Sequence, residues 1–173
     1  MQSSDSSILI LDASAFYAGV PFLGSPKCYT TKEVFDEVRH IKRSYAALEV
    51  LIDAGNLRIV EPETNFVKDA NQLARRSGDI AKMSKADLSI LALALHFKRS
   101  KNDPVIVTDD YAIANTAELA EIRVSYLMSK GIKKVGRWIR YCGACGILYA
   151  SRENVCKVCG NKLRMKLKGS IKR

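Results

Sequence analysis

Two histidines are all the imidazole in this sequence, and it has no apolar run long enough to cross a bilayer, no internal repeat and no low-complexity block. Each shortage removes a class of function. His40 and His96 have no cysteine or second histidine at ligand spacing, so both read as structural. The longest uninterrupted apolar stretches, such as Ile90 to Leu95, fall far short of the roughly 20 residues of a membrane helix. The opening "MQSSDSSILIL" carries an early aspartate and no basic flank, unlike a secretory leader. The expectation is a soluble, cytoplasmic protein with no membrane partner. Acids, finally, are scarce at one end. From Met128 onward 13 Lys and Arg face the single acid Glu153, whereas residues 1–127 carry 15 basic and 17 acidic residues. A slightly acidic body joined to a strongly basic end is the asymmetry of a protein that holds a polyanion.

With 173 residues and a 47% hydrophobic fraction, the chain suits one medium domain and a small module. Ile8 to Leu11 reads as a short buried strand, and Thr30 with Glu33 as a capping box opening a helix through about His40. A helical run from Ser44 to Ala54 stops at Gly55, ahead of a short strand "LRIV"; residues 64–77 are helical and end at Gly78. Ser84 with Asp87 forms a second capping box before "LSILALALHF", followed by a strand at 104–108, a helix over about 110–120, and a last strand near Arg123 to Leu127. This alternation predicts an α/β fold, a parallel sheet with helices on both faces. The glycines and basic residues of "SKGIKKVGRWIRY" mark the boundary. The expected units are 5–127, a basic linker 128–139, a small module 140–165 and a basic tail 166–173.

Carboxylates follow the strands. Asp12 ends the first apolar run, and Asp109 with Asp110 ends "PVIVTDD". In open α/β sheets ligands bind beyond the carboxyl ends of the strands, so neighbouring strands would bring these acids to one crevice. Glu37 on "KEVFDEVRH" and Asp87 on "ADLSILALAL" could join them. Each acid also has a bland reading as a helix cap or solvated residue, but together they would repel one another without a cation. Oxygen-only ligands favour a hard ion, Mg²⁺ or Mn²⁺. On this reading a cation lies between Asp109 and Asp110.

The segments "ILILDASAFY", "VFDEVRH", "SKADLSILALA" and "VIVTDDYAIAN" together resemble the successive acidic motifs of PIN-domain ribonucleases, over roughly residues 5–127. The resemblance implies that Asp12, Glu37, Asp87 and the Asp109/Asp110 pair are catalytic acids of a metal-dependent phosphodiesterase, with Asp12, Asp87 and Asp110 on the metal. The family's Thr-x-Asp pattern falls on Thr108, Asp109 and Asp110, which favours Asp110 as the fourth acid and leaves Asp109 a helper.

Cys142-x-x-Cys145 and, ten residues later, Cys156-x-x-Cys159 carry the spacing of a closed four-thiolate Zn²⁺ site, a zinc ribbon. Four thiolates leave no open position, so this zinc is structural. Cys28 stands apart as a small buried residue. Basic residues interleave with aromatics here: Lys133, Lys134, Arg137, Trp138, Arg140, Tyr149 and Arg152 are candidate contacts to single-stranded RNA, the aromatics alternatively filling the ribbon's small core.

The order PIN-like domain, Cys₄ ribbon, basic end is similar to the Nob-type endonucleases of ribosome assembly, in their compact archaeal form. That resemblance implies cleavage of a precursor small-subunit rRNA to form its mature 3′ end, with rRNA, ribosomal proteins and assembly factors as partners. A toxin-like PIN ribonuclease acting on tRNA or mRNA, and a non-catalytic RNA-binding assembly factor, are the alternatives.

Overall fold

The computed structural model describes residues 7–23, 27–39, 45–127, 135–149 and 153–171. Five strands, β1 (Ser7–Leu11), β2 (Cys28–Thr30), β3 (Leu57–Ile59), β4 (Asp103–Val107) and β5 (Arg123–Ser125), form one sheet in the order β3-β2-β1-β4-β5, every pair parallel. Successive residues of a strand face opposite sides. Ile10 and Leu11 of β1 are both fully buried, as are Ile106 and, nearly, Val107 of β4, so the two central strands are covered on both faces. Burial of this kind stabilises by about 1.5–3 kcal/mol per large aliphatic side chain.

Helices α1 (Ala13–Tyr17), α2 (Lys32–Val38), α3 (Tyr45–Asp53), α4 (Thr64–Ser77), α5 (Lys85–Arg99) and α6 (Tyr111–Leu119) alternate with the strands. In α5 the five consecutive residues Ile90 to Ala94 are fully buried, the mark of a helix enclosed on every side. It packs against β1, β4, α2, α4 and α6. In α4 only one stripe is buried, Phe66, Ala70, Leu73, Ala74 and Ser77, and the helix stops at Gly78. The Ser84–Asp87 capping box forms in full. The Thr30–Glu33 box does not: Thr30 ends β2, a strand too short to show in the sequence pattern, and its neighbour Thr31 caps α2 instead. That helix ends at Val38, and His40 lies outside the described residues.

A second sheet of three antiparallel strands, in the order β7-β6-β8, joins β6 (Val135–Cys142), β7 (Leu148–Tyr149) and β8 (Leu163–Ile171). Here the expected boundaries shift. Positions 135–139 of the anticipated linker pair with the anticipated tail, Arg137 opposite Lys168 and Val135 opposite Ile171. Apolar and basic residues alternate through "LRMKLK", and the basic residues of both strands occupy strand positions rather than a loose end.

Candidate active site and metal centre

Strands β1 and β4 are neighbours in register, Leu11 beside Val107, so Asp12 and Thr108 emerge side by side at the sheet's carboxyl edge. The Asp12 amide donates to the Val107 carbonyl (3.2 Å). Asp12 is 7% exposed, and its Oδ2 accepts hydrogen bonds from Thr108 Oγ1 (2.7 Å) and Ser14 Oγ (3.2 Å). Burial pushes this carboxyl above its ordinary value, opposed by Thr108, the Ala13 amide and Ser14, and the charge of Asp87 pushes it further. Glu37, on the exposed side of α2, is also raised, by burial first and then by Asp87 and Asp12. Three elements thus carry three mutually repelling acids to one place.

Hydroxyl groups hold these elements in position. Thr30 Oγ1 donates to the Leu11 carbonyl (2.9 Å), which ties β2 to β1 just before Asp12. Thr31 Oγ1 lies 2.6 Å from Ser89 Oγ, both buried, which pins the start of α2 on α5 and fixes Glu37 relative to Asp87. Asp87 Oδ2 accepts from the Ser84 amide (2.7 Å) as one half of the capping box, so the same residue caps its helix and charges the crevice. Sequence reasoning missed Ser14, Thr31 and Ser89, and read Thr30 only as a helix cap and Thr108 only as the head of the Thr-x-Asp pattern; for Ser14 the signal was its place two residues after an acid at a strand end.

Asp109 and Asp110 make different hydrogen bonds. Asp110 caps α6, its Oδ1 accepting from the amides of Ala112 (2.6 Å) and Ile113 (3.1 Å). Asp109 Oδ1 accepts from the Leu127 amide (3.0 Å), beyond β5, on the side of β4 away from β1. Both stay connected to Asp12 through their amides: that of Asp110 donates to Thr108 Oγ1 (2.9 Å) and that of Asp109 to Ser14 Oγ (3.3 Å), the two hydroxyls that themselves donate to Asp12. Electrostatics therefore groups Asp12, Glu37 and Asp87, hydrogen bonds attach Asp110 through Thr108 and Asp109 through Ser14, and the Asp109 carboxylate also anchors the Leu127 amide. Among the described residues these carboxylates form no set of three whose oxygens all lie within 4.8 Å.

The four thiols are tighter. The Sγ atoms of Cys142, Cys145, Cys156 and Cys159 all lie within 4.8 Å of one another. Cys142–Cys159 (3.3 Å), Cys145–Cys156 (3.5 Å) and Cys145–Cys159 (3.7 Å) are far beyond a disulfide bond. They approach the edge of about 3.8 Å that a tetrahedron with ~2.3 Å metal–sulfur bonds requires. The two knuckles are built alike. Gly146 and Gly160 take left-handed conformations (φ +75° and +71°) and donate to the carbonyls of Cys142 and Cys156, both at 2.9 Å. A side chain at either position would strain that turn. Amides of Cys145 and Ala144 hold the Cys142 thiol low, and the Tyr149 hydroxyl (3.1 Å) helps bring Cys156 down to about 6. This donor set fits a soft, closed metal site.

The proposed RNA contacts divide. Lys133, Lys134 and Arg152 lie outside the described residues, and Arg137 and Trp138 are placed by backbone register only. Tyr149 and Arg140 serve the ribbon itself: the Tyr149 hydroxyl sits between Cys156 and the Lys157 amide, and Arg140 donates to the Glu153 carbonyl (2.8 Å) and to Asn154. Lys166, which the sequence reading passed over, sets its ammonium 4.8 Å above the Tyr141 ring.

Residues 9–97 match the family model described as the PIN domain of ribonuclease. The protein named Endoribonuclease Nob1 from Methanothermobacter thermautotrophicus is 33% identical over 156 residues, 89% of this chain and 90% of that protein. Ribonuclease VapC1 of Thermoplasma acidophilum is 29% identical over 91% of this chain and 77% of its own length. The 20S-pre-rRNA D-site endonuclease NOB1 of Saccharomyces cerevisiae is 32% identical over 75 residues, 43% of this chain but only 16% of that protein.

Proposed function

The chain belongs to the Nob1 family of PIN-domain endoribonucleases, and from that membership we propose that it cuts precursor small-subunit rRNA to form the mature 3′ end within an assembling ribosomal particle. It is a divalent-metal-dependent endoribonuclease. The observation that carries the reading is the convergence of Asp12, Glu37 and Asp87 from three elements, with the Asp12 and Glu37 carboxyls raised by burial and by their acidic neighbours. Charge gathered at that cost in a non-catalytic scaffold would have no offsetting partner.

When bound, a Mg²⁺ or Mn²⁺ ion supplies an activated water and neutralises charge on the phosphodiester. Asp12, Asp87 and Asp110 would hold it, with Glu37 facing the same crevice. The chain's own work is positioning. Thr108 and Ser14 fix the Asp12 carboxylate by two hydrogen bonds to one oxygen, and the Thr31–Ser89 contact sets the span between Glu37 and Asp87. The thiol cage would hold one structural Zn²⁺, and the basic ribbon beside it would hold the RNA by its phosphates. The partners that follow are rRNA, small-subunit proteins and assembly factors.

A defined RNA spanning the small-subunit 3′ junction, and a matched RNA lacking it, test the proposal. The full-length protein should cut the first at one bond, dependent on Mg²⁺ or Mn²⁺, and leave the second intact. Equal cutting of both, or preferential cutting of tRNA or mRNA, would favour the toxin-like alternative. Binding without cutting would leave an assembly factor. Chelators are a poor control, since they also strip the ribbon's metal; Asp12→Asn is the better one.

A further inference from the structure

Asp79 stands apart from the crevice acids, yet it is fully buried, with neighbours on three elements. Its Oδ2 accepts from Asn115 Nδ2 on α6 (2.6 Å), and its Oδ1 faces Lys82 Nζ (3.4 Å). Its amide donates to the Ala74 carbonyl (3.1 Å) and to Ser77 Oγ (3.2 Å) at the end of α4, and its carbonyl accepts from the Lys82 amide (2.8 Å). One turn away Ser77 Oγ meets Thr116 Oγ1 at 2.9 Å, also fully buried. This is a buried polar seam between the end of α4 and the middle of α6.

Both ends of the seam lead to acids of the crevice. Lys82 closes the 3₁₀ turn Ile80–Lys82, two residues before Ser84, which caps α5 together with Asp87. Asn115 sits one helical turn after Tyr111, the first residue of α6, whose cap is Asp110. The Asp79 charge is felt there: it helps raise the Tyr111 phenol, after burial. A neutral side chain of the same shape would fill the same space and accept from Asn115 without the cost of desolvating a carboxylate. We infer that Asp79 is a positioning residue for the nuclease reaction, one that through Asn115 and Lys82 sets where Asp110 and Asp87 stand relative to Asp12. The inference rests on the crevice reading above and adds a residue to it.

The test is Mn²⁺ binding to the full-length, RNA-free protein, followed by the loss of the free-ion EPR signal, with melting temperature recorded for each variant. Asp79→Ala and Asn115→Ala should each weaken Mn²⁺ binding about tenfold or more in protein that remains folded. The double variant should be no weaker than the worse single, because the two share one task. Asp79→Asn, which keeps an acceptor for Asn115, should recover part of the loss. If folded Asp79→Ala, or folded Asn115→Ala and Asp79→Asn should the first not fold, bind Mn²⁺ like the unaltered protein, the seam is only structural and the inference is overturned. Asp12→Asn separates the two failures: Mn²⁺ binding unchanged in that variant would sink the crevice reading itself.

Discussion

The crevice and the ribbon solve the same problem in opposite ways. Each gathers like-charged ligands that repel one another. In the crevice the fold supplies the geometry: Asp12, Asp87 and Asp110 are fixed by hydroxyls and backbone amides on elements wrapped around a deep apolar core. In the ribbon the buried cluster among the described residues is Cys142, Cys156 and Leu163, with Tyr149 packed against it, and two of these belong to the four-thiol set. Modules this small rarely bury enough apolar surface to fold alone, and a metal held by the four thiols would supply the difference. On the proposed function the catalytic ion would be a guest in a finished site, and the ribbon's ion would be part of the fold.

The largest effect that would break this comparison comes from taking the ribbon's metal away. A structural zinc contributes on the order of 10 kcal/mol to a module of this kind. Replacing Cys142 and Cys156 by serine should therefore abolish amide protection across 139–166 and leave that of β1, β4 and α5 intact, as read by hydrogen exchange. Loss of protection in both regions together would mean that the two are not separate in stability.

Caps give an intermediate effect that separates the two jobs of one carboxylate. Asp110→Ala should cost about 1 kcal/mol, because the Ala112 and Ile113 amides lose their acceptor, while Asp110→Asn should cost almost nothing. Both should lose cleavage alike. Thermal melts and single-turnover rates on the pair check this, and an asparagine variant that cleaves normally would show the cap to be the residue's only role.

Acidity gives a smaller one. The Asp12 and Glu37 carboxyls are raised above their ordinary values of 3.8 and 4.5. A raised acid favours the protonated form in the folded state. Without a divalent ion, the stability it contributes is fully present below the ordinary value and is lost as pH rises through the folded one. The melting temperature of ion-free protein should fall across that window, and Asp12→Asn with Glu37→Gln should flatten the fall. An unchanged slope would mean that the Asp12 and Glu37 carboxyls are not raised in the folded protein.

The smallest effect belongs to the basic end. Arg140 is committed to the ribbon, so the informative variant replaces Lys133, Lys134 and Arg137 alone. The slope of RNA affinity against salt should drop by roughly 0.7 for each phosphate that is no longer neutralised. Arg140→Ala should instead lower the ribbon's stability.

Much of the crevice was legible in sequence because strand-end acids announce themselves: a carboxylate such as Asp12, set directly after an apolar run, stands at the sheet edge where ligands bind. The α4 and α5 boundaries were equally plain, from Gly78 and from the Ser84–Asp87 box. Hydroxyl bridges such as Thr31–Ser89 were not, since they join residues 58 positions apart and serine and threonine carry no periodic signal. Asp79 was hidden for the same reason: it reads as a polar residue after a helix stop, and only packing shows that it is buried. The extent of the ribbon was obscured by charge, the basic residues of β6 and β8 masking a strand alternation.

The central claim is that charge at Asp12 serves the reaction and not the fold. One preparation of Asp12→Asn, measured for melting temperature and for Mn²⁺-dependent cleavage of the 3′-junction RNA, tests it most directly. Asparagine still accepts from Thr108 and Ser14 and relieves the repulsion from Asp87, so the melting temperature should hold or rise. Cleavage should fall by about a thousandfold or more, since losing the ion removes several kcal/mol of transition-state stabilisation. A variant that melts lower and still cleaves would contradict the account.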